Sequence, residues 1–598
     1  MITEEFKRSF SYTRSNAAKN LLDARCKDGS WSGFLSSSAL ATATATVALQ
    51  CVDSHDHAGR IRSALNWLIE NQNKDGGWGD TPISKSNLST TLLTWAAFRL
   101  VGVGPYRREL TLTETYIKKQ IDGLEPDKIV HALEQRYGKD KTFSIPILTL
   151  CAICGCLGSD KEAWNRVRQL PFELSILPHK CFEMIRLPVV SYALPALIAM
   201  GIVRFNCGKN QHSLMWPIRK ILLPFALRKL TRIQPKGGGF LEAIPLTSFV
   251  TMSLVTAGYN KNNTKTIANA IPFLIDSQRD DGSWPIDSNL NTWVTTLSIN
   301  ALASGGKIKN YLKEKECTGL RKWLEKQQFE EVHPYTNANP GGWAWTPLSG
   351  GVPDADDTSG ALISLRHLGS DAERIERGIQ WLLDLQNEDG GVPTFCRGWG
   401  TLPFDRSCPD ITAHAIRVFD CWYNELKMET KTHSENFAQK ALNYLFKSQE
   451  KEGSWQPLWF GNEHTETEEN PVYGTSRVVL ACAEAGIKEF EIVKACKWLC
   501  EIQNKDGSWG GNVGTPGSIE ETSLAVEAIS SFYMRDDKKV YMEAVIKGIH
   551  WLNKKTQNGQ VFQPSPIGLY FARLWYYEEM YPLIYLVAAY ERASMIIK

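Results

Sequence analysis

Five near-copies of one short pattern punctuate this 598-residue chain: WLIENQNKDGGWG around Gln72, FLIDSQRDDGSWP around Gln278, WLLDLQNEDGGVP around Gln386, YLFKSQEKEGSWQ around Gln449 and WLCEIQNKDGSWG around Gln503. The frame is an aromatic-Leu pair, a Gln, three residues, a Gly, one residue and a Trp, with degenerate copies ending at Trp31 and Phe240 and another at Gln557. Each copy closes an apolar-periodic stretch such as IRSALNWLIENQ and breaks at Asp-Gly or Glu-Gly, which is how a helix ended by glycine reads. A second apolar helix usually follows, TTLLTWAAFRL or EETSLAVEAISSFY for instance, and few segments have strand character. Helix pairs repeated in this way stack as an open superhelix or close into a ring. The chain is also longer than one core usually supports, so two domains or one large toroid are expected. Gln and Trp at fixed offsets are read as clamps, the amide bonding backbone at a neighbouring helix end and the indole packing beside it.

Charge narrows the partners. Lys plus Arg number 67 and Asp plus Glu 65, a balance that argues against nucleic acid. Fourteen cysteines without regular spacing, in a chain that begins MITEEFKRSF with no signal-peptide pattern, indicate free thiols in a reducing compartment. The run CAICGC (Cys151, Cys154, Cys156) lies in an apolar stretch without a second ligand pair, so it is read as buried and not as a metal site.

The stretch VPDADDTSG, residues 352–360, places Asp354, Asp356 and Asp357 within four positions between apolar runs. Residue type alone leaves three readings: a solvated acidic loop, a divalent-metal site, or a cluster whose crowding keeps one carboxyl protonated.

The repeat and the acidic run together resemble the class II terpene cyclases, most closely the squalene-hopene cyclases and their bacterial relatives. The resemblance implies an all-α fold of two α/α-barrel (toroid) domains. Residues 290–598 would form the catalytic barrel, residues 1–12 a segment packed on it, and residues 13–289 a second barrel with the entry channel. GGGFLEAIPLTSF, near Pro245, resembles the loop that helps close the entry. By the same resemblance Asp356 is the acid that protonates an alkene, with Asp354 and Asp357 as its neighbours. His414 in PDITAH hydrogen-bonds that acid as an imidazolium, and Tyr473 in PVYGT belongs to the proton supply. Trp345 in GGWAW, Trp293, Phe395, Trp459, Tyr570 and Tyr577 fall at cavity aromatics, and Tyr192 in VVSYALPAL at the wall of the other domain. The implied substrate is squalene or a similar linear polyprene, with no cofactor and no metal. A prenyl diphosphate cyclase, a zinc prenyltransferase-like subunit and a non-catalytic toroid that binds lipid or protein are the alternatives, the last leaving Asp356 without a purpose.

Several positions depart from the family pattern. Leu458 stands where an arginine is usual, the segment between Trp459 and Tyr473 is longer, Val294 replaces an aspartate, and SPIG (Ser565 to Gly568) replaces a Phe-containing run. The product skeleton is therefore left open. The resemblance also implies peripheral, monotopic attachment to the cytoplasmic face of a membrane, compatible with a homodimer. Two stretches suit that surface: the uncharged residues 187–203, read either as a buried helix or as a patch dipping into one leaflet, and the basic amphipathic residues 218–230.

Overall fold

The computed structural model describes residues 3–102, 104–138, 142–208, 214–306, 308–370, 372–569 and 573–597. Among them the fold is helical, with three two-stranded antiparallel ribbons, the longest pairing Ile567–Leu569 with Leu574–Tyr576.

Six helices, Asn291–Ala303, Ala355–Leu368, Pro409–Trp422, Pro471–Glu484, Ile519–Tyr533 and Tyr581–Ala593, each touch the next, and the last touches the first. They form a closed inner ring. The loops entering them are tied to one another, Thr292 N–H to Trp345 O, Ala355 N–H to Thr394 O, Val472 N–H to Gly511 O and Gly568 N–H to Gly461 O. All six N-termini therefore lie at one end and the helices run parallel. Inner helices are buried almost all round, Ile519 through Phe532 without a break, whereas the outer helix Phe490–Glu501 buries only the stripe Ile492, Ala495, Cys496, Trp498 and Leu499. That contrast is the one expected between a helix inside a ring and a helix covering it. The outer layer includes the N-terminal helix Glu4–Asp23, which lies on Tyr581–Ala593 through Arg14 on Glu591 (2.6 and 2.7 Å) and Phe10 stacked 5.1 Å from Tyr590.

A second ring is built from Ala39–Asp53, Leu88–Val101, Ser144–Ile153, Val190–Cys207 and Ile244–Thr256, again with each helix touching the next. Val190–Cys207 is the only described helix long and apolar enough to cross a bilayer, yet 61% of it is buried, including Tyr192, Leu194 and Ile198 through Arg204. It is a core helix of this ring. Met184, Ile185, Leu214, Ile221 and Phe225 stand exposed in the segments on either side of it.

The repeated Gln and Trp hold the helices in place. Gln503 Nε2 donates to Gly507 O (2.8 Å), closing its own turn, and to Ala544 O (3.0 Å) on the next outer helix. The same two bonds recur at Gln72, Gln234, Gln278, Gln386 and Gln449. Gln328 makes them too, to Gly341 and Arg374, in a copy the sequence hides because a longer loop separates Gln328 from its glycine. The indoles of Trp31, Trp78, Trp284, Trp455 and Trp509 each donate to a leucine carbonyl ten residues back, at 2.7 Å in every case. A threonine of an inner helix then accepts the tryptophan's own N–H, Thr522 for Trp509 (3.0 Å) and Thr358 for Trp343 (2.9 Å).

Candidate active site

The acidic run starts the helix Ala355–Leu368. Asp354 is its N-cap, accepting the N–H groups of Asp356 (2.9 Å) and Asp357 (2.8 Å), and Gly369 ends it in the left-handed region at φ 75°. Capping turns the three carboxyls away from bulk water. Asp354 and Asp357 are each 5% exposed, and burial pushes both carboxyls above the usual carboxylate range, with their mutual hydrogen bond adding to the rise at Asp357 and offsetting part of it at Asp354. Oδ1 of Asp357 has no hydrogen-bond partner.

Asp356, on the second residue of the helix, points instead at the neighbouring inner helix, where His414 Nδ1 lies 2.6 Å from its Oδ1. Burial lowers the pKa of His414, and this outweighs the opposing pull of Asp356. The contact engages Oδ1 of Asp356 and leaves Oδ2 outside it. Behind the pair is a cavity of about 40 Å³ whose lining includes Trp293, Asp410, Tyr473 and Arg477.

Tyr473 is buried, with its ring 4.5 Å from Phe460 and under the guanidinium of Arg477, which also lies over Tyr585 (5.3 Å to each ring). Burial works against the charge of Arg477, but Tyr473, Tyr585 and Glu527 together hold it protonated. Trp293 donates to Tyr581 Oη (3.0 Å), which in turn bonds Tyr576 Oη (3.0 Å).

Beside the acids stands an aromatic wall. Thr394, whose carbonyl accepts from Ala355 N–H (2.8 Å), is followed by Phe395 and takes a hydrogen bond from the indole of Trp459. Phe395 lies 6.0 Å from Trp459 and 5.2 Å from Tyr192, which reaches across from the other ring and donates to Phe395 O (3.3 Å). Phe404 completes the stack, 5.3 Å from Phe395 and 5.6 Å from Tyr192. Trp345 is half-buried, its carbonyl receiving the N–H groups of Thr292 and Trp293 and its indole 3.4 Å from Asp287 Oδ1.

Asp354, Asp356, Asp357, His414, Tyr473 and Trp293 are therefore gathered at one place, and Phe395, Trp459 and Tyr192 form the wall next to it. Tyr577 stands elsewhere, half-buried with its backbone paired to Ser36, while its neighbour Tyr576 faces Tyr581. Tyr570 lies outside the described residues. Sequence reasoning missed Asp410, Arg477, Tyr585 and Phe404. Asp410 begins the run that supplied His414; burial, and then Asp356, raise it to about 6, and the Cys408 thiol donates to its Oδ1 at 2.6 Å. Arg477 is one helical turn beyond Tyr473, so its position was available from spacing alone. Phe404 carries no sequence signal. Cys151, Cys154 and Cys156 are free, buried thiols, and among the described residues no three His, Cys, Asp or Glu side chains converge as a metal site.

Comparison with known proteins gives this geometry a setting. Residues 290–592 match the squalene-hopene cyclase C-terminal domain and residues 15–147 the N-terminal domain. A terpene cyclase-glycosyl transferase fusion protein of Humicola fuscoatra is 23% identical over 91% of this chain and 46% of its own length. A probable squalene–hopene cyclase of Sinorhizobium fredii is 29% identical over 49% of this chain and 48% of that protein. The squalene–hopene cyclase of Alicyclobacillus acidocaldarius is 23% identical over 80% and 79%. The chain spans about half the length of the first curated relatives it matches, 46%, 42% and 48%. Among solved structures, an ent-copalyl diphosphate synthase from Streptomyces platensis superposes with a TM-score of 0.56 at 17% identity, covering 98% of this chain and all of that one; it shares the α/α-barrel fold.

Proposed function

The chain belongs to the squalene-hopene cyclase family, and from that premise we propose that it is a class II terpene cyclase acting on squalene or a similar linear polyprene. The observation that carries this reading is Asp356 held 2.6 Å from His414 beside a stack of aromatic rings. The proton on Asp356 passes to a terminal alkene carbon, leaving a carboxylate on the protein and a tertiary carbocation on the substrate. The Nδ1–H of His414 stabilises that carboxylate, and a donor aimed at developing charge in a dry site is worth about 10²–10³ in rate. Burial pushes the carboxyls of Asp354 and Asp357 upward, which lessens the negative charge beside the new carboxylate.

The cation then moves along the chain as rings close. Aromatic faces stabilise it by roughly 0.5–2 kcal/mol each without offering a base that would end the cascade, and an apolar wall keeps water from capturing it. The cavity behind Asp356, about 40 Å³, holds a few waters at most. The polyprene therefore lies on the other side of the acid, between the rings, and its entry parts the stack of Tyr192, Phe395, Phe404 and Trp459.

Attachment to the cytoplasmic face of a membrane is part of the proposal. The surface that favours it lies on either side of the core helix Val190–Cys207, where Met184 (79% exposed), Leu214 (94%) and Ile221 (67%) stand with Ile185 and Phe225. The charged ends of Lys220 and Arg228 lie over the rings of Trp216 and Phe225 there, 4.8 and 4.4 Å from their centres.

The substrate is tested by incubating detergent-solubilised protein with squalene, geranylgeranyl diphosphate and farnesyl diphosphate and reading products by mass spectrometry. A cyclised hydrocarbon or alcohol from squalene supports the reading. A bicyclic diphosphate with squalene untouched replaces the substrate, and no cyclised product from any of the three refutes the cyclase.

A further inference from the structure

The cavity behind Asp356 does not stop at the acid. Its lining begins with Asp356 and Trp293, in the first turn of their helices, and reaches Asn300 and Ala301 in the last turns of Asn291–Ala303 and Glu527 in the third turn of Ile519–Tyr533. Because the inner helices run parallel, these two ends lie roughly 13 Å apart along the ring axis, at about 1.5 Å per residue. Polar groups occupy the whole length, His414, Tyr473 and Arg477 first and then Arg417, Asn300 and Glu527. Placing so many charged groups in the middle of an apolar ring costs several kcal/mol each unless they are paired. Arg417 is paired with Glu484 at 2.7 Å. Glu527, 5% exposed, accepts from Ser304 Oγ at 2.9 Å and lies in the field of Arg477. Nothing in the chemistry on the substrate side uses it.

The reaction itself supplies a need. Each turnover removes the proton of Asp356, and the aromatic wall that protects the carbocation also keeps water from returning one on that side. We propose that the polar channel along the ring axis reloads Asp356 from the opposite end, with Glu527 as the relay. This inference rests on the cyclase reading above. The Glu527 carboxylate takes H⁺ from hydronium at the C-terminal end of the ring and passes it through cavity water to the Asp356 carboxylate. His414 holds Oδ1 of Asp356, so Oδ2 receives the proton. One proton moves from solvent to Asp356, Glu527 returns to its carboxylate, and no other bond changes. The cavity volume of about 40 Å³ admits roughly three or four waters by the ~10–15 Å³ each requires.

Glu527→Gln keeps an acceptor for Ser304 but cannot take up and release the proton. Rapid-quench experiments with squalene, or with whichever polyprene the assay above identifies, separate the first turnover from later ones. The variant should form one equivalent of product at the wild-type rate, because Asp356 is already loaded, and then slow at least tenfold in steady state. Glu527→Asp should recover part of that loss, and Ser304→Ala, which frees the Glu527 side chain while keeping its acid, should show the same split more weakly. Steady-state rates equal to wild type in Glu527→Gln, or a first turnover slowed as much as the rest, would overturn the relay. Absence of cyclised product from the wild-type protein would instead remove the cyclase reading beneath it.

Discussion

Thr358 sits inside the acidic run and yet serves the scaffold: its hydroxyl accepts the N–H of Trp343 at 2.9 Å, as Thr91, Thr42, Thr475 and Thr522 do for the other repeat tryptophans. Thr358→Ala strands a buried N–H and should lower stability by about 1–3 kcal/mol, read as a shift of the denaturant midpoint, with cyclisation retained in the folded fraction. His414→Ala removes the hydrogen-bond partner of Asp356 Oδ1; kcat should fall by about 10²–10³ while circular dichroism stays unchanged. The aspartates and His414 were singled out in the sequence because they stand in compact runs that resemble motifs of the family. Phe404 was not, because an aromatic residue in a loop becomes a wall only when Tyr192 and Phe395 meet it from two different rings.

At the level of elements, the Gly-ended helices could be read because the repeat fixes the helix boundary, whereas the two-ring architecture was implied by the family resemblance. Each Gln closes its own turn and ties the next outer helix, so Gln503→Glu should cost about 1–3 kcal/mol, as a carboxylate cannot donate to the carbonyls of Gly507 and Ala544. Thermal melting of the two proteins measures it. The copy at Gln328 escaped notice because its loop is longer, although its bonds to Gly341 and Arg374 are the same. In Leu574–Tyr576 successive side chains alternate faces, so Tyr576 meets Tyr581 whereas Tyr577 lies on the other side beside Ser36.

For the molecule as a whole, buried acids set the pH response. Burial and the neighbouring Glu521 push Glu520 up to about 8, and burial pushes Glu578 up to about 7. Both stay protonated in the folded chain at pH values where the unfolded chain has released those protons, so stability falls as pH rises toward 8. His333 and His367, lowered by burial to about 4, act in the opposite direction only below about pH 6.5. Between pH 6.5 and 8 the melting temperature should therefore decline, by about 1 kcal/mol of stability per pH unit for each carboxyl still protonated, and Glu520→Gln should flatten the decline. The apolar surface is tested by vesicle co-sedimentation, where Ile221→Asp combined with Phe225→Asp should release the protein at least tenfold without altering its fold. The most direct test of the central claim is cyclisation of squalene in D₂O. Wild-type protein should give a product carrying one deuterium at the carbon protonated first, and Asp356→Asn should be folded and yield no cyclised product; a normal yield from Asp356→Asn, or wild-type product free of deuterium at that carbon, would contradict it.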